Sequence, residues 1–199
     1  MSCKVYSTAI KKTPYYYNIS KKIGTLMLSK WSREEVFVDA FDKNLIEIDS
    51  LQRRKEVINV IYNRLAQLDK FLLAQFLNAD VSTSKFILVY AIAKSDALFF
   101  EFLFEVYRES LLGEKDYISL DDFDGFFNGK KENDATVLKW KDNTIKQLTT
   151  GYKNILINSG LGIKDVKNIQ TVRPLIHPNI EEHIDMIGDK EYLKAILGA

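Results

Sequence analysis

The stretch that decides the fold is Asp134–Ile176, DATVLKWKDNTIKQLTTGYKNILINSGLGIKDVKNIQTVRPLI. It reads as a short helix, a tight turn, a longer helix from about Asn143 to Asn158, a glycine stop and a strand-rich tail. That order is the grammar of a winged helix-turn-helix, with the longer helix as its recognition helix. At roughly 100° per residue, Ile145, Leu148, Tyr152, Ile155 and Leu156 share one side of that helix. Asn143, Lys146, Gln147, Thr150, Lys153 and Asn154 lie opposite, on a face without an acid. Asn and Gln can pair bidentately with adenine, Lys reaches guanine or phosphate, and Thr touches a thymine methyl. Lys141 and Thr144 complete the candidate set at the helix start. The bland alternative is a solvated surface, although soluble helices usually mix both charge signs there. Lys141 is a poor N-cap, which leaves Asp142 as the competing cap. Gly160 supplies a C′ stop that lets Leu161 close on Leu156. Beyond it, Gly162-Ile163 can pair with Val172–Leu175 as a short β-wing near 161–176, with Lys164 and Lys167 near the tip.

The remaining chain must supply the core. At 199 residues it forms one large or two small domains and can bury a sizeable core without staples. Three prolines and nine glycines, set between long apolar-periodic stretches, favour helices over many short strands. The single cysteine, Cys3, excludes an internal disulfide framework and a zinc-finger ligand set. Net charge is only +1, which argues mildly against a nucleic-acid binder. The distribution is uneven, however. Residues 1–64 carry 12 basic and 7 acidic side chains, residues 65–135 carry 7 and 13, and residues 136–199 carry 9 and 7. Basic ends flank an acidic middle, so a near-neutral total can hide a basic face. No acid precedes Glu34, whereas Lys4, Lys11, Lys12, Lys21, Lys22 and Lys30 all do.

Residues 1–17 read as an arm laid partly over the surface, followed by a helix from about Asn18 to Ser29. Ser32 and Glu35 form a capping box for a second helix to about Asp42, with Trp31 and Val36 as a hydrophobic staple. Ser50 caps a third helix to about Leu68, with Arg53 and Lys55 leaving it near the start and Arg54 closer to the apolar side. Helix, connector and basic-started helix make a second, weaker helix-turn-helix candidate. Its competitor is an ordinary three-helix core with a solvated charged end. Asp69 and Ser82 cap the next two helices. The most membrane-like window, Phe86–Tyr107, carries Lys94, Asp96, Glu101 and Glu105 and breaks at Ser95-Asp96. Each central charge would cost about 2.5–3.5 kcal/mol in a bilayer, so the window is expected to be two buried helices. Gly113 ends the second of these. A linker at Glu114–Ile118 then puts the domain boundary between 1–113, an N-terminal helical domain, and 114–199, a winged-helix-like domain. Ser119 and Asp122 cap a helix whose Phe123, Phe126 and Phe127 face inward. Pro178 opens a helix to about Ile187, and Asp189 caps the last one.

The sequence offers no argument for catalysis. Walker A, G-x-G-x-x-G, G-x-S-x-G and H-E-x-x-H signatures are absent, as is any cysteine–histidine arrangement. Glu101 and Glu105 fall with Arg108 and Glu109 on a narrow stripe, expected to face solvent and to be supported by Arg108. His177 and His183 match no metal-ligand spacing and are expected to be structural. No metal and no cofactor is expected.

LSKWSREEVFVDAF, IDSLQRRKEVINVIYNRL, LVYAIAKSDALFFEFLFEVYRE, the Phe126-Phe127 pair, KWKDNTIKQL, NSGLG and VRPLIHP occur in an order that resembles the BrxA family of bacteriophage exclusion (BREX) phage-defence systems. The resemblance spans roughly Tyr15 to Leu197 and rests on the ordered set, since no single motif is diagnostic. The family has also been described as an inner membrane protein of unknown function, a label that suits these charged helices badly. The resemblance implies an all-α, cytoplasmic, non-enzymatic protein with helix-turn-helix elements that binds double-stranded DNA. It would act beside a site-specific methyltransferase, a large ATPase and other phage-defence proteins. The expected DNA-binding residues are Lys141, Asn143, Thr144, Lys146, Gln147, Thr150 and Lys153, with Arg53 and Lys55 as a second contact. No membrane partner is expected, and the chain is expected to be monomeric alone. The alternatives are a protein-interaction scaffold within the defence complex and an RNA-binding helical module.

Overall fold

A computed structural model describes residues 6–29 and 32–198. Cys3, Lys4, Lys30 and Trp31, and with Trp31 the expected staple, lie outside the described residues. The fold is all-α apart from one small sheet, and it divides into two compact units, Tyr16–Ser95 and Asp96–Ala199 joined by Met1–Tyr15. The division thus falls at 95/96, whereas the sequence placed it at 113/114. The helical run over 97–112 packs against elements that follow it, which carries the boundary upstream.

In the unit of residues 16–95, α1 (Tyr17–Ser29), α2 (Arg33–Asp42), α3 (Leu51–Leu65), α4 (Lys70–Asn78) and α5 (Val81–Ser95) pack together. Ser32 and Glu35 form the expected capping box, and Ser50 and Asp69 accept from the N3 amides of α3 and α4. α5 starts earlier than the sequence indicated. Asp80, not Ser82, accepts from the Thr83 amide at 3.0 Å, because an Asp carboxylate is the stronger acceptor for orphan helix donors. α5 is buried from Phe86 through Ala93, as its all-round apolar surface requires. Arg54 is buried in the same core. Its Nε donates to the Ile48 carbonyl and its Nη1 to the Phe41 carbonyl, both at 2.8 Å, and its guanidinium lies 5.4 Å from the Phe41 ring. It thereby satisfies carbonyls that the end of α2 and its connector leave without helical partners.

The second unit opens with α6 (Ala97–Phe102), a π turn (Leu103–Tyr107) and α7 (Arg108–Leu112), which follow without a break in helical backbone. After β1 (Tyr117–Ile118) come α8 (Leu120–Asn133), α9 (Ala135–Leu138) and α10 (Asp142–Ser159). β2 (Gly162–Lys164), β3 (Ile169–Thr171), α11 (Pro178–Met186) and α12 (Lys190–Leu197) complete the chain. The sheet is antiparallel in the order β1-β3-β2. Two expectations are corrected here. The linker residues Tyr117 and Ile118 are a strand, and β2 pairs with 169–171 instead of 172–175, Val172 adding only one amide bond to Leu161. The turn Asp165–Asn168 closes too early for the longer wing.

Tyr152 of α10, fully buried, lies 5.1 Å from Phe99, 5.0 Å from Phe102 and 5.7 Å from Phe127, ring centre to ring centre. Next to it, Gly151 receives Ile10 of a short 3-10 helix, Ala9–Lys11. A Cβ at Gly151 would stand 2.9 Å from the Ile10 carbonyl oxygen. Within residues 6–15 of the arm expected to lie partly over the surface, Ile10, Thr13 and Tyr15 are buried and anchor it in the core, while its other described residues stay partly or fully exposed.

The polar stripe of 97–112 is corrected as well. Glu101 is only 7% exposed, accepts from Tyr6 Oη at 2.8 Å and pairs with Lys130 at 2.7 Å. Glu105 meets the same ammonium at 2.6 Å. Burial works against the charge on Lys130, but hydrogen bonds to both carboxylates outweigh it and raise its pKa. Among the described residues no helix is long and apolar enough to cross a membrane. The Phe86–Tyr107 window breaks at Ser95-Asp96, where Asp96 accepts from the Phe99 amide and caps α6.

Arg54→Ala should cost about 2–4 kcal/mol in chemical denaturation, since two charge-assisted hydrogen bonds are lost and the Ile48 carbonyl loses its side-chain donor, while the Phe41 carbonyl keeps the Asn44 amide. Gly151→Ala should cost about 1–3 kcal/mol through overpacking and should speed proteolysis within residues 6–15. An unchanged digestion pattern would mean that the arm does not depend on this contact.

Candidate nucleic-acid interface

α10 is the element that presents the candidate face. Lys141 is its N-cap, with an extended backbone and no side-chain cap bond, so the helix begins at Asp142 and the competing cap is discarded. Asp142 at the first helical position favours the helix dipole and lies 3.5 Å from Lys131. The expected apolar side, Ile145, Leu148, Tyr152, Ile155 and Leu156, is buried throughout. Gly160 ends the helix with a left-handed φ of 86°, and Leu161 and Leu156 are both buried behind it.

Lys141, Asn143, Lys146, Gln147, Thr150 and Asn154 are exposed, while Thr144 and Lys153 are half-buried. Among the described residues the side chains of Lys141, Asn143, Lys146 and Gln147 make no hydrogen bond or ion pair within the protein, which leaves four donor groups open to a ligand. Thr150 differs, because its hydroxyl donates to the Lys146 carbonyl at 2.9 Å. Its methyl and its oxygen lone pairs remain available for recognition. Lys153 differs further. Its Nζ lies 5.2 Å from the centre of the Phe123 ring on α8, and burial lowers its pKa, opposed by Asp124. Lys153 therefore sits at the margin of the face.

β2 packs against α10 and leads into the hairpin turn. Lys164, Val166 and Lys167 are exposed at that turn, Val166 at 91%, and the Asp165 amide bonds the Asn168 carbonyl at 3.0 Å. Lys139, exposed at the end of α9, was not singled out from sequence. Lying outside the amphipathic helix, it gave no periodic signal.

Arg53 and Lys55 belong to the other compact unit. Arg53 is engaged there, donating to Tyr16 Oη at 3.3 Å and lying 3.7 Å from Glu56, whereas Lys55 is exposed. α2 and α3 are joined by residues 43–50, with Asn44 and Glu47 at positive φ. Sequence reading missed Arg33 in this region. Its Nη2 donates to Asn59 Oδ1 at 3.1 Å and its guanidinium stacks 5.1 Å from the Tyr62 ring. Among the described residues no group of three or more His, Cys, Asp or Glu could hold a metal ion. His177 instead caps α11, its Nδ1 accepting from the Asn179 amide at 3.3 Å.

Residues 4–188 match the family model described as BrxA. A protein of Bacillus cereus (strain H3081.97) named BREX protein BrxA is 31% identical over 195 residues, covering 98% of each chain. The crystal structure of an uncharacterized protein from Magnetospirillum magneticum superimposes with a TM-score of 0.83, covering 98% of this chain and 99% of that one. At 19% identity this last likeness concerns the fold alone.

Replacing Lys153 by Met should leave the melting temperature unchanged or raise it by about a degree or two. The apolar stem keeps its packing and the half-buried charge is no longer desolvated. A fall of several degrees in calorimetry would instead assign the ammonium–Phe123 contact a net stabilising effect.

Proposed function

From the membership of this chain in the BrxA family, we propose that it is a non-enzymatic, duplex-DNA-binding accessory subunit of a bacteriophage exclusion defence system. It acts in the cytoplasm beside the other defence proteins. The observation that carries the DNA-binding part is the outer face of α10, where Lys141, Asn143, Lys146 and Gln147 are open donors without internal partners. The surrounding element order supports it. A strand, helices, a long helix with one exposed face and a two-stranded hairpin, with sheet order β1-β3-β2, support the reading of this region as a winged helix-turn-helix. In that arrangement the long helix enters the major groove.

The residues divide by chemistry. Asn143 and Gln147 are suited to base edges and Lys146 to guanine or phosphate. Lys141, Lys164 and Lys167 supply phosphate contacts, which position the protein without reading sequence. Thr144 and Thr150 contribute apolar and acceptor contacts, and Lys153 a marginal charge. Lys55, with Arg53 behind it, is a second and weaker contact on its own unit.

A salt titration of the purified chain against matched duplex DNA, single-stranded DNA and RNA tests the proposal. Three to five phosphate contacts should give a slope of log K against log salt of roughly −2.7 to −4.5 for duplex. Lys141→Glu combined with Lys146→Glu should weaken duplex binding at least about tenfold across sequences, at an unchanged melting temperature. Unchanged affinity would remove α10 from the interface, and preference for RNA over duplex would overturn the choice of ligand.

A further inference from the structure

We propose that the tip of the β2–β3 hairpin is an apolar wedge, Val166 held between Lys164 and Lys167, that enters the minor groove of duplex DNA and bends it. The inference rests on the duplex-DNA reading and adds to it a deformation of the ligand. Val166 is 91% exposed, more than any other large hydrophobic side chain among the described residues. It stands in a tight turn, where glycine, asparagine, aspartate or serine is the ordinary choice. A β-branched apolar residue there breaks the local rule with no gain in packing, and such departures concentrate at functional positions. Ile163 on β2 adds a second exposed apolar side chain behind the tip.

Hydrogen bonds hold the tip in one shape. The Asp165 amide donates to the Asn168 carbonyl at 3.0 Å and closes the turn, and the Asp165 carboxylate accepts from the Val166 amide at 2.7 Å. The one acid is thereby turned back on its own backbone. Lys164 and Lys167 make no hydrogen bond or ion pair within the described residues. Residues 164–167 carry two ammonium ions against one carboxylate, a balance of +1. β2 packs against α10, so the tip projects from the scaffold that also presents the donor face.

An apolar point between two cations fits the minor groove. That groove is about 6 Å wide, too narrow for a helix but open to a hairpin tip. Its walls are phosphates, which the two lysines neutralise. Its floor is a stack of base edges, and an apolar side chain pressed between two of them unstacks the step and kinks the duplex. Valine is short, so the kink lies near the low end of the range for such wedges, about 20–40°. Pyrimidine–purine steps such as TA yield most easily and A-tracts least. The chain therefore prefers deformable duplex through a residue that makes no hydrogen bond to a base.

The test uses the full chain and two end-labelled duplexes of about 30 base pairs and equal base composition, one rich in TA steps and one built from A-tracts. Energy transfer between the ends reads the bend, and anisotropy reads the affinity. The unaltered chain should bend the TA-rich duplex by about 20–40° and bind it about threefold or more tighter than the A-tract duplex. Val166→Ser should abolish the bend and the preference at an unchanged melting temperature. It should also leave the slope of log K against log salt unchanged, because no phosphate contact is lost. Val166→Leu should retain bend and preference. Lys164→Gln combined with Lys167→Gln should instead reduce the slope by about 2. A duplex bound but unbent, or bent equally by Val166→Ser, would overturn the wedge and leave the α10 reading intact. Failure of the unaltered chain to bind duplex at low salt would overturn both. Binding to phosphatidylserine vesicles that Val166→Ser abolishes, with duplex behaviour unaffected, would assign the tip to a lipid surface instead.

Discussion

The seating of α10 is the constraint on which the unit of residues 96–199 depends. On one side Tyr152 inserts among Phe99, Phe102 and Phe127. Beside it Gly151 admits Ile10 to a distance that any side chain would obstruct. Aromatic burial and close packing together fix the rotation of the helix about its own axis. Once that rotation is fixed, Asn143, Lys146 and Gln147 have nowhere to point except into solvent. The donor-rich face is thus a consequence of the core, and residues 6–15, far away in sequence, help to set it.

The same physical rule, that buried polar groups must find partners, explains the charged side chains of the two cores. Arg54 satisfies carbonyls at the end of α2 and in its connector. Glu101 is tolerated inside the other unit because Tyr6 and Lys130 meet it. The π turn that follows carries Glu105 to the same lysine. Charge is thereby sorted across the 96–199 unit. Acidic side chains collect along α8, while exposed lysines accompany α10 and the β2–β3 turn. This sorting lets a chain of net charge +1 carry local surfaces of opposite sign.

Membership of the BrxA family puts the chain among phage-defence proteins. The open groups of α10 are hydrogen-bond donors and ammonium ions.

Most of the local order was legible in the sequence, the cap of α5 excepted. The capping boxes at Ser32 and Ser119, the caps Ser50 and Asp69, the proline start at Pro178 and the glycine stop at Gly160 all stand where residue type put them. The apolar side of α10 is also the one its periodicity indicated. These features depend on residues within about one helical turn of one another, so composition and spacing suffice to specify them. Tertiary structure alone decided the division at 95/96, the burial of Glu101, the strand at Tyr117–Ile118 and its pairing with β3, and the insertion of Ile10 above Gly151. Lys153 belongs with these. Spacing put it on the outer face, and a ring of a neighbouring helix drew it to the margin. Each of these depends on a partner tens of residues away, and helical periodicity records which side of an element is apolar without recording what will cover it.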